Sequence, residues 1–156
     1  MRQHPATASK VAAMTPSAAT FGTLLTIAQT PALGPQPNSL DHAVGRATHW
    51  VRLSETRRPD AMWLEAGALM QRLVSREEWA HYIRRIRVDR GALQGREWFE
   101  VTRVRDPVGL PVGDYLNVIF VAHFAQASQF ETVSLAPGAA GWLPVGYVIR
   151  PVQREV

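Results

Sequence analysis

The sequence predicts an α+β domain in which three N-terminal helices pack on a curled four-stranded antiparallel sheet. Three observations support this fold class. Apolar residues recur at helical spacing from Leu40 to Ile86, and they alternate with a period of two from Gly95 to Ile149. Turn-forming stretches separate the alternating segments, as in a meander of antiparallel strands. The 156 residues, 46% of them hydrophobic and 19% charged, suit one globular domain.

The first two helices are predicted from their caps and apolar faces. Asn38 or Ser39 can cap a helix that runs to about Thr56. The proline in "RRPD", Arg57–Asp60, disfavours helical geometry in the residue before it and ends this helix. Asp60 can then cap a second helix. The apolar faces comprise Leu40, Ala43, Val44, Ala47, Trp50 and Val51 in the first helix, and Met62, Ala66, Leu69, Met70 and Leu73 in the second.

The third helix begins at "SREE", Ser75–Glu78, which has the residues of a capping box. Its arginines do not share one face, and acidic residues lie among them. We therefore interpret them as a solvated helix surface, which argues against nucleic acid as a partner. Arg87 is the exception, because it flanks the apolar face and can be partly buried against carbonyls or a carboxylate. The apolar face itself comprises Trp79, Tyr82, Ile83 and Ile86.

Four strands are predicted after Gly91, where the period changes to two. They cover Gly95–Arg105, Tyr115–Phe124, Phe130–Leu135 and Gly141–Ile149. The second strand has the strongest pattern, because its even-numbered residues are all apolar. We expect this register to face the helices. It comprises Leu116, Val118, Phe120, Ala122 and Phe124.

The other face of the second strand predicts self-association. It carries Tyr115, Asn117, Ile119, Val121 and His123, and the chain has no lysine or arginine from Asp106 to Ile149. A solvated sheet face normally carries more charge, and contiguous apolar surface is typical of an interface. We therefore predict a homodimer packed sheet to sheet. The alternative is that this face lines a cavity in a complete monomer.

The chain divides into a leader at residues 1–37, the single α+β domain at residues 38–150 and a tail at residues 151–156. The leader is predicted to be either a degenerate signal peptide or a disordered segment. In a signal peptide, Arg2 and Lys10 would form the basic end, Phe21–Ala28 the apolar part, and Ala28 or Gly34 the cleavage point. This predicts a periplasmic or secreted protein, with a cytoplasmic location as the alternative. No apolar run is long enough to span a bilayer.

Several motifs occur in an order and spacing that identify a family resemblance over about Ala43–Arg150. They are Trp63, Trp79, Arg87, Gly91 and Arg96, then "YLNVIFVAHF", "ETV" at Glu131–Val133, "GW" at Gly141–Trp142 and "GYVIR" at Gly146–Arg150. This pattern resembles the bacterial domain-of-unknown-function family numbered 4019. The resemblance implies a cone-shaped α+β fold like those of nuclear transport factor two and cystatin, usually behind a signal peptide, and it implies no reaction. The chain departs from the family in its irregular leader and at Pro144, where a polar strand residue is common.

The residues that could carry chemistry are few. The chain has no cysteine, its histidines lack metal-ligand spacing, and no phosphate-binding glycine loop is present, so we expect neither a metal nor a cofactor. The catalytic candidate is His123, acting as a general base oriented by Asp114 or Glu131. The candidate ligand-binding residues are Trp63, Tyr82, Arg87 and Tyr147.

These observations predict a non-catalytic module that is exported and binds either a protein partner or a small ligand. Two alternatives stay open. One is a small cavity enzyme that uses His123 as its base, and the other is an anion-binding protein that acts through the arginine-rich helices.

Overall fold

The computed structural model describes residues 37–152, all of which belong to one compact unit. The predicted leader and tail lie almost wholly outside this range. The helices are α1 (Leu40–Glu55), α2 (Pro59–Glu65), α3 (Ala68–Leu73) and α4 (Arg76–Arg90), and the strands are β1 (Leu93–Arg105), β2 (Asp114–Phe124), β3 (Ser128–Gly138) and β4 (Gly141–Pro151). The strands form one curled, unclosed antiparallel sheet in the order β1-β2-β3-β4. The predicted α+β class and the meander are confirmed.

The predicted second helix is divided into α2 and α3, so the described residues contain four helices rather than three. Ala66 and Gly67 adopt extended backbone, with ψ angles of 156° and 152°. The Gly67 amide donates a hydrogen bond to the Pro144 carbonyl of β4 at 2.7 Å, and a Cβ on this residue would lie 3.1 Å from Val145. This close attachment to the sheet interrupts a stretch whose apolar spacing is otherwise helical. The prediction of one continuous helix was therefore wrong.

The helix starts follow the predicted caps in two of three cases. The Ser39 hydroxyl accepts from the His42 amide at 3.1 Å and caps α1. The capping box of α4 is confirmed, because the Ser75 hydroxyl accepts from the Glu78 amide at 3.2 Å and the Glu78 carboxylate accepts from the Ser75 amide at 2.9 Å. Asp60 was wrongly predicted as the cap of α2. It lies in the first turn of that helix, which starts at proline and has no side-chain cap.

The core lies between the helices and one face of the sheet. The apolar register of β2 is buried as predicted, from Leu116 through Val118, Phe120 and Ala122 to Phe124. These residues meet two aromatic residues of the helices, Trp50 and Trp79, whose rings stack with centroids 5.5 Å apart. Tyr147 of β4 contacts both indoles edge-on. The register of β2, rather than any single contact, therefore fixes which side of the sheet the helices cover.

β1 contains a bulge that the regular alternation did not predict. Trp98 lies opposite Phe120, which faces the helices, whereas Glu100 lies opposite Ile119, which faces away. The extra residue between them, Phe99, packs against Phe130 with ring centroids 5.3 Å apart. We call the sheet surface turned away from the helices the open face. It carries Glu97, Phe99, Glu100, Asn117, Ile119, Val121, His123, Phe130, Thr132, Val148 and Arg150.

Candidate functional site

A cleft of about 440 Å³ opens where the end of α1, the second half of α4 and the helix-facing side of the sheet meet. Every strand contributes to its wall, because the sheet curls at this point. We call it the Arg96 cleft. It is lined by Ser54, Glu55, Arg57, Ile83, Ile86, Arg87, Gly91, Ala92, Leu93, Arg96, Phe124, Glu131 and Tyr147.

A buried ion pair connects three strands at this cleft. Glu131 of β3 is the one charged residue that is buried among the described residues, with 1% of its surface exposed. Its carboxylate accepts two hydrogen bonds from the Arg96 guanidinium of β1, through Nε and, at 3.1 Å, through Nη2. The Tyr147 hydroxyl of β4 donates to the same carboxylate. Bidentate pairing and a third donor compensate the loss of water around the charge.

The pair extends to the mouth of the cleft through Glu55. The remaining terminal nitrogen of Arg96, Nη1, donates to the partly exposed Glu55 carboxylate at the end of α1. One guanidinium therefore joins the first helix to the first and third strands. All three of its nitrogen atoms are engaged by carboxylates, so Arg96 is bound within the fold rather than free for a ligand.

The surroundings of this site raise the pKa of both donors, Arg96 and Tyr147, so both stay protonated. Burial disfavours the charged form of Arg96, but its hydrogen bonds and ion pairs with Glu131 and Glu55 outweigh that effect and raise its pKa. Burial, the negative charge of Glu131 and the hydrogen bond to it raise the pKa of Tyr147 well above its usual value. Neither group exchanges its proton near neutral pH, so neither is suited to general acid–base catalysis there.

In the sequence, Glu131 is a candidate only for the orientation of His123. A usable signal was present in the sequence, because Glu131 shares one register of β3 with the apolar residues Val133 and Leu135, both of which the structure buries. A carboxylate in an inward-facing register requires a cation nearby. Arg96 lies in the inward-facing register of β1, opposite Ala122.

His123 lies on the open face, away from the cleft. Its ring nitrogens contact the Ser128 hydroxyl at 2.7 Å and the Glu97 carboxylate at 3.2 Å. The predicted orientation by Asp114 or Glu131 was wrong, because Asp114 pairs with Arg105 and Glu131 faces the core. The row of serine, histidine and carboxylate is exposed to water, unlike the water-excluded surroundings in which such groups activate a nucleophile.

Two of the four candidate ligand-binding residues reach the cleft. Arg87 and Tyr147 line it, and the Arg87 guanidinium donates to the Ser54 carbonyl, which confirms its predicted position beside the core. Trp63 instead donates its indole N–H to the Val74 carbonyl at 3.0 Å. Tyr82 packs against Trp79 and Tyr147. Trp63 and Tyr82 therefore pack within the helical layer and do not line the cleft.

Residues 37–152 contain neither a metal-binding cluster nor a membrane-spanning helix. No cluster of three or more histidine or acidic side chains there could hold a metal ion. Within the same range, none of the helices combines the length and apolar character that a membrane span requires.

The fold and the cleft define the class of this protein. It is an α+β domain whose curled antiparallel meander borders a cleft with charged and apolar walls against a layer of helices. The chain belongs to the family described as "Protein of unknown function (DUF4019)", whose family model matches residues 46–147. The predicted resemblance is thereby confirmed, and the matched range includes Arg96, Glu131 and Tyr147. No curated protein and no solved structure matches the chain.

Proposed function

We propose that this chain is a non-catalytic binding module that forms a homodimer through the open face of its sheet. The observation that carries the proposal is apolar surface on that face without a covering element among the described residues. Phe99 is 54% exposed, and Ile119, Val121 and Phe130 are partly exposed beside it. Phe99, Ile119 and Phe130 border a groove of about 490 Å³. Contiguous exposed apolar surface of this kind is typical of an interface.

The charges on the open face favour a second copy of the chain as the occupant. Cross-strand pairing places Glu97, Val121, Phe130 and Arg150 in one row from β1 to β4. The row therefore has an acidic end, an apolar centre and a basic end. A two-fold axis parallel to the strands would place Glu97 of each copy opposite Arg150 of the other. An axis perpendicular to the strands would place the glutamates opposite each other, which is unfavourable.

One residue of the predicted interface, Tyr115, is buried and does not contribute to the open face. Tyr115 is only 5% exposed, and its hydroxyl donates to the Pro111 carbonyl at 2.8 Å. The loop before β2 therefore covers this end of the strand. The other four predicted residues, Asn117, Ile119, Val121 and His123, remain partly exposed on the open face.

Val121→Arg is expected to convert the dimer to a monomer, because it places a charge without a partner at the centre of the apolar row. Light scattering at about tens of micromolar, where a weak dimer is populated, measures the mass. Val88→Arg is the matched control, since Val88 is exposed on α4, and it should remain dimeric. A wild-type chain that is monomeric at this concentration rejects the proposal.

Charge reversal tests the direction of the two-fold axis. Glu97→Arg and Arg150→Glu should each weaken the dimer, whereas the double variant should restore it, because the two charges exchange places across the interface. Two single variants without effect would contradict the parallel axis.

The two alternative functions receive less support from the geometry. His123 is on an exposed surface. The arginines of α4 are spread around the helix with Glu77 and Glu78 among them, so this helix presents no continuous basic face to a polyanion. We also propose that the fold is the cone seen in cystatin and nuclear transport factor two, which the curled sheet and its helix-covered face support. An experimental structure that superposes on neither protein would reject this.

We further propose that the domain acts outside the cytoplasm, in the periplasm or as a secreted protein. The basic and apolar parts of residues 1–37 and the family resemblance support export. Expression of the full chain in a bacterial host should yield a periplasmic product cleaved near Ala28 or Gly34, as measured by mass spectrometry. An uncleaved chain confined to the cytoplasm would contradict export.

A further inference from the structure

We propose that the Arg96 cleft binds a small amphipathic anion, namely a carboxylate that carries an apolar chain. This inference is independent of the proposed dimer, which uses the opposite side of the sheet. Ligand sites in proteins commonly occupy clefts of about 300–1,000 Å³ with apolar walls and a few placed polar groups. The Arg96 cleft, at about 440 Å³, lies within that range.

The charges that line the cleft leave two guanidinium groups for an anion. Arg96 is bound to both lining carboxylates, those of Glu131 and Glu55. Arg57 and Arg87 also line the cleft, and neither forms an ion pair with any described residue. The cleft therefore has positive charge in excess on its helical side, and guanidinium groups suit a carboxylate well.

Arg87 is oriented before any ligand arrives. One of its terminal nitrogens, Nη2, donates to the Ser54 carbonyl near the end of α1, which leaves its other N–H groups for an acceptor in the cleft. A guanidinium that is already held loses less conformational freedom when a ligand binds.

Arg57 adopts the left-handed backbone conformation, which is unfavourable for a residue with a Cβ atom. Its φ angle is +57°, just after α1, where glycine or asparagine would adopt the left-handed region at less cost. This left-handed residue ends α1, and Arg57 lines the cleft directly after that helix end.

The apolar residues that line the cleft indicate that the rest of the ligand is apolar. Ile83, Ile86, Leu93 and Phe124 line the same cleft, so a hydrated inorganic anion would leave apolar surface in water. A second cleft of about 450 Å³ is also lined by Arg57 and Arg87, so the two arginines border both spaces. An anionic head with an apolar chain fits this arrangement, whereas a polyanion would need a row of cations along an open surface.

Calorimetric titration of the full chain with octanoate, 1-octanol and inorganic phosphate tests the proposal. Octanoate should bind, and each of the other two should bind at least about tenfold more weakly, which corresponds to about 1.4 kcal/mol. Equal binding of octanol would show a purely apolar cleft, and equal binding of phosphate a simple anion site. Either result overturns the proposal, as does the absence of octanoate binding.

Three variants locate the binding. Arg87→Gln and Arg57→Asn should each weaken octanoate binding about tenfold, since each removes one charged donor, and asparagine tolerates the left-handed backbone. Arg85→Gln is the matched control on the same helix, because Arg85 does not line the cleft, and it should bind as the wild type does. If Arg87→Gln fails to fold, Arg57→Asn still decides. Unchanged binding in the folded variants, or an equal loss in the control, overturns the assignment.

Discussion

Glu131→Gln is expected to lower the free energy of unfolding by about 3–5 kcal/mol, the usual cost of breaking a buried ion pair from one side. Glutamine has nearly the same shape, so the substitution leaves no cavity; it removes the charge and turns one acceptor into a donor that faces Arg96 or Tyr147. The substitution leaves Arg96, whose side chain is only 9% exposed, with Glu55 as its one remaining carboxylate. Urea unfolding followed by tryptophan fluorescence measures the loss.

Two further variants separate the ion pair from the rest of the structure. Glu77→Gln is the matched control, because Glu77 is exposed on α4, and it should change the stability by less than about 0.5 kcal/mol. The double variant Glu131→Met with Arg96→Met removes both charges and should recover much of the loss, since an apolar pair of similar volume is often as stable. A double variant that is less stable than Glu131→Gln would show that the pair itself stabilises the native state.

Trp50→Ala is expected to cost about 3–5 kcal/mol, the range for deleting a large buried aromatic side chain. Trp50 is fully buried and stacks on Trp79. Its indole N–H also donates to the Met62 carbonyl at 2.7 Å. The amide of Ala66 bonds to Trp63 instead of Met62, so the indole satisfies a carbonyl that the short helix α2 leaves open. The substitution thus removes packing and leaves an acceptor without its donor.

The controls for Trp50 divide these two contributions. Trp50→Phe keeps most of the ring contacts but loses the N–H, so we expect a smaller loss of about 1–3 kcal/mol. Trp98→Ala removes an indole that is 57% exposed, and it should change the stability little. Chemical unfolding of the three variants measures the order, and a Trp98→Ala loss equal to that of Trp50→Ala would contradict this account of the core.

The sequence predicted those parts of the fold that depend on local signals. The Ser75–Glu78 capping box places the start of α4 because its hydrogen bonds join residues three apart. The apolar register of β2 identified the buried face because a period of two leaves only one way to cover it. The arginine that flanks this helix face, Arg87, was placed for the same reason.

The missed features depend on contacts between segments that are distant in the sequence. The break at Gly67 results from a hydrogen bond to β4. The glycine is a local signal of weak helix propensity, but it does not specify this contact with a distant strand. The bulge at Phe99 depends on how β1 pairs with β2. The distance between His123 and Glu131 in space depends on which face each strand turns toward the helices. The pairing of Arg96 with Glu131 likewise depends on the alignment of three strands, which local patterns do not specify.

The buried pair of Arg96 and Glu131 also bears on how the chain avoids misfolding. The two residues lie on strands that are separated by β2, so the pair forms only when three strands are correctly aligned. A slip of β3 by one residue would turn Glu131 to the opposite side and leave Arg96 with a buried charge whose main partner is lost. The penalty for a misaligned sheet therefore exceeds what the apolar residues alone would impose. In this meander, a charge inside the protein selects one strand alignment by making the neighbouring alignments costly.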